Sequence, residues 1–272
     1  MAYRVGCVPY VNAMPLVGRF SKLGNDSPVQ VVGDVPSALP SLLNSGQADA
    51  VLASSFDALT TPGRRYAEGI CIGTDGPAES VRLFSKVPFE SIRRLALDQS
   101  SLTSNHLARI LLLEQFGVRP ETVLLPPDLD GMLEVADACV LIGDKGYLTD
   151  AGECRVLDLG ERWSDATGLP FVWALWIGNE KFPPELVALL QEAMAWGLER
   201  IDELAEEAAQ TCGWPMNGCR RYLRTTMRYQ LDERALEGLR LFRSKLIEHG
   251  LAAAVAMPGA AQAPGPSVAA SR

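Results

Sequence analysis

The sequence has few of the residues from which common catalytic and metal sites are built. Its 272 residues include only two histidines, His106 in the first turn of a predicted helix and His249 near the end of another. A Ser-His or Cys-His hydrolase therefore has little support. The six cysteines are scattered, with no Cys-x-x-Cys pair or Cys/His cluster, and no glycine-rich phosphate loop is present. A zinc site and a P-loop or dinucleotide fold are therefore not expected.

Basic runs and long apolar runs are also missing. The formal net charge is -8 at pH 7, which argues against a nucleic acid as the partner, because nucleic acids require a cationic surface. No stretch reaches the roughly 20 apolar residues that a membrane span needs. The N-terminal residues lead directly into a strand pattern and lack the layout of a signal peptide. We therefore expect a cytoplasmic protein without a membrane partner.

The N-terminal stretch carries the strongest local pattern. A composition that is 47% hydrophobic can bury a large core, and Arg4 to Val8 is typical of a strand buried on both faces. Pro9 ends this strand because it has no N–H to donate, and a helix start follows near Pro15. Open α/β sheets bind ligands where a strand end leads into a helix. Asn12 lies at that point, although it also fits a turn-former or helix N-cap.

The order of strands and helices predicts an α/β fold with two lobes and a ligand cleft between them. We expect lobe 1 to consist of residues 1–86 and 178–251, and lobe 2 of residues 87–177, with a crossing near Val87-Pro88-Phe89. The end of the chain, residues 252–272, is rich in alanine, proline and glycine. Such a composition buries little apolar surface, so the sequence predicts a flexible tail.

Polar residues at predicted strand ends are the candidates for the cleft, which is a preferred ligand position between domains. The most notable group is the hydroxyl-rich turn Ser100, Ser101, Leu102, Thr103 and Ser104, which precedes a predicted helix. Small hydroxyls in this position either cap the helix or bind an anion with help from the helix dipole. The other candidates at strand ends are Asn12, Ser54, Ser55, Ser80 and Asp144.

Six motifs together resemble the chorismate dehydratase family of the futalosine pathway of menaquinone biosynthesis. The most specific is Val8–Leu16, where the family commonly reads Y-L-N-A-x-P-L and this chain has Val11 in place of the leucine. The others are Ala48–Ser55, Glu79–Ser85, Leu97–Ser104, Leu141–Gly146 and Asp158–Trp176. The resemblance covers about residues 4 to 250.

This resemblance implies a type II periplasmic-binding-protein-like fold and the conversion of chorismate to 3-[(1-carboxyvinyl)oxy]benzoate and water, with no metal or organic cofactor. It implies that Asn12 and Ser80 are catalytic residues that act on the substrate, and that the Ser100–Ser104 turn holds a substrate carboxylate. The expected substrate-binding set is Tyr10, Ser54, Ser55, Arg82, Ser100, Ser101, Thr103, Ser104 and Asp144. Arg82 is expected either to add positive charge to the site or to be a solvated or lobe-bridging residue.

The group that accepts the ring proton stays open at this point. An asparagine amide is neither an acid nor a base at neutral pH, so Asn12 can only donate hydrogen bonds to developing charge. Asp98, Asp144, Glu79 and a carboxylate of chorismate itself are the candidates. We favour structural roles for two of them: Asp144 as a buried acceptor of backbone N–H groups, and Asp98 as a residue that orders its loop.

A second function class also remains open. A two-lobed fold of this kind supports simple binding, because fold does not fix function. The alternative is a non-catalytic, cytoplasmic, solute-binding-like module that closes on a small carboxylic acid. The Tyr10–Ala13 and Glu79–Val81 segments favour the enzyme. A homodimer is a further expectation for either class.

Overall fold

Two β-sheets organise the chain in the computed structural model, which describes residues 2–265. The strands are β1 (Tyr3–Cys7), β2 (Val29–Gly33), β3 (Ala50–Ser54), β4 (Arg65–Thr74), β5 (Arg82–Ser85), β6 (Arg94–Asp98), β7 (Glu121–Leu125), β8 (Ala138–Leu141), β9 (Arg155–Asp158), β10 (Phe171–Gly178), β11 (Arg228–Gln230) and β12 (Gly259–Ala261). The helices are α1 (Met14–Leu23), α2 (Leu39–Asn44), α3 (Ser55–Thr60), α4 (Thr103–Phe116), α5 (Leu129–Val135), α6 (Gly143–Leu148), α7 (Leu159–Thr167), α8 (Pro184–Glu199), α9 (Ile201–Cys212), α10 (Met216–Arg221) and α11 (Glu233–Glu248).

The first sheet has the strand order β11-β4-β10-β3-β1-β2, with β12 also paired to β4. Its strand β1 runs parallel to both β2 and β3, whereas β10 runs antiparallel to β3 and β4. All five residues of β3 are buried, as expected for a parallel strand that is covered by helices on both faces. Helices α1 and α8 pack together beside this sheet. Gly197 allows their close approach, since a Cβ there would lie 2.0 Å from the Pro15 carbonyl oxygen.

The second sheet has the order β7-β6-β8-β5-β9. Strand β6 runs parallel to β7 and β8, and β5 runs antiparallel to β8 and β9. The carboxyl ends of β1 and β3 in the first sheet, and of β6 and β8 in the second, lead into helix starts. These are the strand ends at which open α/β sheets place ligands. The two-lobed α/β architecture predicted from the sequence is confirmed.

The sheets divide the chain at other points than the predicted lobes. Strand β5 belongs to the second sheet, so the chain crosses between the sheets in residues 75–81 and not near Pro88. Strand β10 lies between β3 and β4 in the first sheet, so the return crossing precedes Phe171 and not residue 178. Pro88 instead precedes a short 3-10 turn, Phe89–Ser91. The first crossing contains Gly76 and Pro77, two residues that interrupt strands and that also mark this crossing in the sequence.

The expectation of a flexible tail is wrong for residues 259–261. These residues form β12 and pair in parallel with Arg65–Ala67 of β4. Arg65 donates a hydrogen bond of 2.6 Å to the Ala260 carbonyl oxygen, and Arg243 donates to the Val255 carbonyl. Pairing at a sheet edge uses backbone groups, so a composition poor in large apolar residues does not prevent it. Residues 266–272 of the predicted tail lie outside the described residues.

We expect a chain that ends at Ala252 to be less stable than the full chain. The truncation removes the three residue pairs of β12 and exposes the edge of β4, which should cost about 1–3 kcal/mol at the usual value of a hydrogen bond. The melting temperature, measured by circular dichroism, should fall by roughly 2–8 °C. A chain that ends at Gly265 keeps these contacts and is the control. Equal melting temperatures for the two truncated chains would show that β12 contributes nothing to stability.

Candidate functional site

A cavity between the two sheets collects most of the residues that the sequence analysis selected. The space between its lining atoms, open solvent at the mouth included, is about 610 Å³. None of its lining residues in the described chain is a Lys, Arg, Asp or Glu. The polar lining residues are Tyr10, Asn12, Ser54, Ser80, Ser101, Thr103 and Ser104, and the apolar ones include Val8, Leu52, Ile142, Trp173 and Met227.

Asn12 and Ser80 lie on one wall, where they meet a third residue from far along the chain. Asn12 belongs to a 3-10 turn, Val11–Ala13, that follows β1. Its amide nitrogen Nδ2 donates to the Tyr222 hydroxyl at 3.4 Å, and the Ser80 hydroxyl lies 2.7 Å from the same oxygen. No local pattern selects Tyr222, because its segment carries no strand-end signal and is more than 140 residues from Ser80.

The backbone before Ser80 has an unusual conformation. Glu79 has a φ of 59°, and it is the only non-glycine residue with positive φ in the described chain. The backbone N–H groups of Ala78 and Glu79 donate to the Asp158 carboxylate at 2.9 and 2.7 Å. Behind Ser80, a Cβ on Gly146 would lie 2.1 Å from the Ser80 carbonyl oxygen. These contacts hold the Ser80 backbone in place, and such strained positions persist only where the surroundings enforce them.

Another part of the site consists of hydroxyls arranged around Thr103. The Thr103 hydroxyl lies 2.6 Å from the Ser54 hydroxyl and 3.3 Å from that of Ser55. It also donates to the Trp173 carbonyl at 3.1 Å. Ser55 is fully buried and donates to the Val172 carbonyl at 2.7 Å. Ser55 does not line the cavity; it connects α3 to β10 and supports Thr103 from behind.

Ser100 differs from the rest of its turn, because it faces Asp98. Its backbone N–H and its hydroxyl both donate to Asp98 Oδ1, at 2.8 and 2.6 Å. Asn105 Nδ2 donates to the carbonyls of Asp98 and Ser101 at 2.8 and 2.6 Å. Burial raises the pKa of the Asp98 carboxyl, against the opposing effect of the bonds from Ser100. Asp98 therefore orders the turn that precedes α4, in agreement with the role favoured from the sequence.

A second cavity adjoins the first and shares Tyr10 and Ile142 with it. Asp98, Ser100 and Asp144 line this second cavity and not the first. Asp144 Oδ1 accepts a bond of 3.3 Å from the Val11 backbone N–H, at the start of the turn that carries Asn12. Burial raises the pKa of the Asp144 carboxyl. Tyr10 separates the two spaces, with its ring against Gly143, where a Cβ would lie 3.2 Å from the ring atoms.

Arg82 is directed away from the main cavity, so it does not supply the positive charge that the sequence analysis considered. Its guanidinium donates to the carbonyls of Gly146, Tyr147 and Thr149 at 2.5, 3.0 and 2.8 Å. These carbonyls lie at the C-terminal end of α6, where helices favour positive charge. Side chains alternate between the two faces of a strand, and at Arg82, the first residue of β5, the side chain faces this helix end.

Glu79 is bound by partners of its own. Arg221 donates from two guanidinium nitrogens to its two carboxylate oxygens, at 2.8 and 2.5 Å, and the Thr226 hydroxyl donates at 2.6 Å. Glu79 does not line the main cavity. The three carboxylates considered as proton acceptors, Glu79, Asp98 and Asp144, are therefore all outside the lining of that cavity.

The described residues contain neither a metal-binding cluster nor a helix that could span a membrane. No group of three or more His, Cys, Asp or Glu side chains in residues 2–265 is arranged to hold a metal ion. In the same range, no helix combines the length and the apolar character needed to cross a bilayer.

The fold is similar to that of solved solute-binding proteins. The alkanesulfonate-binding protein SsuA of Xanthomonas axonopodis pv. citri, solved with bound MOPS, superimposes with a TM-score of 0.71 at 16% identity, over 94% of this chain and 96% of that chain. The periplasmic aliphatic sulphonate binding protein SsuA of Escherichia coli gives 0.64 at 18% identity, over 98% and 95%. At these identities the likeness shows the fold alone, which is that of periplasmic binding proteins.

Sequence comparison is more specific. A chorismate dehydratase of Thermus thermophilus is 33% identical over 269 residues, which cover 90% of this chain and 95% of that protein. Residues 3–248 match the family model described as menaquinone biosynthesis. The matched range includes every strand of both sheets except β12, and every residue that lines the cavity. The chain therefore belongs to the menaquinone biosynthesis family, together with this chorismate dehydratase.

Proposed function

We propose that the protein is a chorismate dehydratase, a carbon–oxygen lyase that removes water from chorismate to give 3-[(1-carboxyvinyl)oxy]benzoate. The observation that carries the proposal is the pairing of Asn12 and Ser80 in the lining of the interlobe cavity, which also includes the hydroxyls of Ser101, Thr103 and Ser104. The relationship to a chorismate dehydratase over nearly the whole chain supports the same substrate. The family resemblance places the reaction in menaquinone biosynthesis by the futalosine pathway.

Chorismate is a dianion, and among residues 2–265 the lining of the main cavity contains hydroxyl groups and a helix N-terminus but no Lys or Arg side chain. Helix α4 begins at Thr103, and Ser101, Thr103 and Ser104 line the cavity at its N-terminal end. A helix N-terminus stabilises a partly buried anion by up to about 2 kcal/mol. Each hydrogen bond to a charged group adds roughly 1.5–3 kcal/mol. Two or three such bonds hold a carboxylate without a salt bridge, in a protein whose net charge of -8 would otherwise repel it.

The reaction takes a proton from the ring carbon that bears the ether and hydroxide from the neighbouring carbon, and the ring becomes aromatic. The main barrier is the negative charge that develops on the departing oxygen and on the ring in the transition state. Asn12 Nδ2 and the Ser80 hydroxyl are hydrogen-bond donors fixed on one wall, and donors of this kind stabilise charge that develops in the transition state. We assign that role to both residues.

The proton acceptor in this proposal is a carboxylate of chorismate itself. The three protein carboxylates considered for the role do not line the main cavity. Glu79 is paired with Arg221, Asp98 accepts two hydrogen bonds from Ser100, and Asp144 accepts one from the Val11 backbone N–H. A substrate carboxylate that enters the cavity needs no protein base beside it.

Ultraviolet spectroscopy tests the proposed activity directly. Purified protein mixed with chorismate should convert the cyclohexadiene spectrum into that of a substituted benzoate, and the product should be identified by mass spectrometry. Calorimetry on the same sample measures binding. Chorismate that binds without a change in absorbance would contradict the lyase and support a non-catalytic binding module.

Asn12→Ala should abolish most of the turnover. Loss of one positioned donor costs about 10²–10³-fold in kcat, whereas the fold loses only one long hydrogen bond. Steady-state kinetics should therefore show a strongly reduced kcat, whereas the melting curve should show an unchanged melting temperature. Asn44→Ala, in an exposed position of α2, is the control. If Asn12→Ala keeps kcat within about threefold of wild type, Asn12 does not stabilise developing charge.

The double variant Ser101→Ala with Ser104→Ala should weaken substrate binding. Both residues line the cavity at the start of α4, and loss of even one bond to a carboxylate raises KM about tenfold or more. Thr103→Val is the comparison, because its hydroxyl contacts Ser54 and the Trp173 carbonyl in the protein interior. We expect that variant to lose thermal stability. An unchanged KM in the double variant would mean that the substrate carboxylates are bound elsewhere in the cavity.

A further inference from the structure

Among residues 2–265, Tyr222 is the one side chain that forms hydrogen bonds with the side chains of both Asn12 and Ser80. It is 1% exposed, and its hydroxyl lies 2.7 Å from the Ser80 hydroxyl and 3.4 Å from Asn12 Nδ2. Burial raises the pKa of the Tyr222 phenol, so the hydroxyl keeps its proton at neutral pH. A neutral tyrosine hydroxyl has a single hydrogen to donate and lone pairs to accept with. The direction of each hydrogen bond at this oxygen can therefore be worked out.

The Asn12 amide nitrogen carries only hydrogens, so the Tyr222 oxygen accepts the bond between them. The single hydrogen of Tyr222 is then available for one acceptor. Among residues 2–265 the only other side-chain partner of this hydroxyl is Ser80, and a buried O–H group without an acceptor is costly. The Tyr222 hydrogen therefore lies on the line to the Ser80 oxygen, which acts as an acceptor in this bond.

This arrangement determines the direction of the Ser80 hydroxyl hydrogen. Because the Ser80 oxygen accepts from Tyr222, its own hydrogen must point in another direction, and Ser80 lines the main cavity. The geometry points to Tyr222 as a positioning residue that fixes the Ser80 hydroxyl as a hydrogen-bond donor toward the bound substrate. This inference rests on the proposed function for the identity of the substrate, but the direction of the hydrogen bonds does not depend on it.

The backbone around Tyr222 is adapted to this contact. Tyr222–Thr226 is a π-helical turn, closed by a bond of 2.9 Å from the Met227 N–H to the Tyr222 carbonyl. π-Helical turns are rare in proteins, and those that occur are frequently found at functional sites. The turn places Met227 in the cavity lining and directs the Thr226 hydroxyl to Glu79, the residue before Ser80. The segment thus holds Ser80 in two ways: Thr226 binds the carboxylate of Glu79, the residue before Ser80, and Tyr222 binds the Ser80 hydroxyl.

Kinetic analysis of Tyr222→Phe tests the inference, with Tyr229→Phe as a matched control. Tyr229 is also buried, and its hydroxyl has no hydrogen-bond partner within residues 2–265. Tyr222→Phe frees the Ser80 hydroxyl to rotate, so kcat should fall about tenfold or more while KM changes by less than about threefold. Tyr229→Phe should keep the wild-type kcat. A kcat within about threefold of wild type for Tyr222→Phe would overturn the inference.

A double-mutant cycle separates positioning from a general structural role. In a Ser80→Ala background, Tyr222→Phe should lower kcat by less than about twofold, because the hydroxyl that it directs is already absent. A second loss as large as the loss in the wild-type background would show that Tyr222 does not act through Ser80. Melting temperatures of the four proteins show whether either change acts through stability.

Neutron diffraction on the deuterated protein decides the hydrogen positions without any need for turnover. The deuterium of Tyr222 should lie between its oxygen and the Ser80 oxygen, and the deuterium of Ser80 should point into the cavity. A Ser80 deuterium on the line to Tyr222 would overturn the inference. If wild-type protein fails to convert chorismate, the proposed function is wrong, and the neutron map still decides the role of Tyr222.

Discussion

The carboxylate of Asp158 holds together the part of the molecule on which the site depends. It accepts hydrogen bonds from the backbone N–H groups of Ala78 and Glu79 at 2.9 and 2.7 Å, and from those of Gly160 and Glu161 at 2.9 and 3.0 Å. The first pair belongs to the crossing from the first sheet to the second, and the second pair begins α7, on the return path. One side chain thus caps a helix and joins both connections between the lobes.

This clamp explains how a strained residue is maintained beside the cavity. A left-handed φ costs an ordinary residue of order 1–3 kcal/mol, and Glu79 has that conformation at 59°. Its N–H is held by Asp158 and its carboxylate by Arg221 and Thr226. The strained turn brings Ser80 into the cavity wall beside Asn12. The conformation of the crossing, and not its sequence alone, therefore creates the site.

The part of the site that could be predicted from the sequence is the part that lies at or beside the ends of strands. Asn12, Ser54, Ser80 and the Ser101–Ser104 turn each stand next to a strand, so a local pattern was sufficient to place them at the cleft. Trp173 and Met227 line the cavity, and Tyr222 contacts its lining residues Asn12 and Ser80. All three arrive there through tertiary packing or a π-helical turn, which a local pattern does not reveal.

The errors in the sequence analysis have physical causes as well. Arg82 was considered for the site because charge suits an anion, but its direction on β5 is set by the carbonyls at the end of α6. The first lobe boundary was expected near Val87-Pro88-Phe89, but the sheet to which β5 belongs depends on its pairing with β8 and β9, which a local pattern does not reveal. The edge strand Gly259–Ala261 forms by backbone pairing, for which composition gives little signal.

A cavity without charged lining residues suits the proposed reaction in a way that a cationic cavity would not. A lysine or arginine paired with a substrate carboxylate would stabilise the anion and lower its basicity. Neutral hydroxyls and the N-terminus of α4 bind the substrate with less effect of this kind, so one carboxylate stays able to accept the ring proton. The remaining requirement is donors at the departing oxygen, and the network of Tyr222, Asn12 and Ser80 supplies them without a net charge. In this proposal a fold shared with binding proteins gains catalysis from the direction of a few hydrogen bonds.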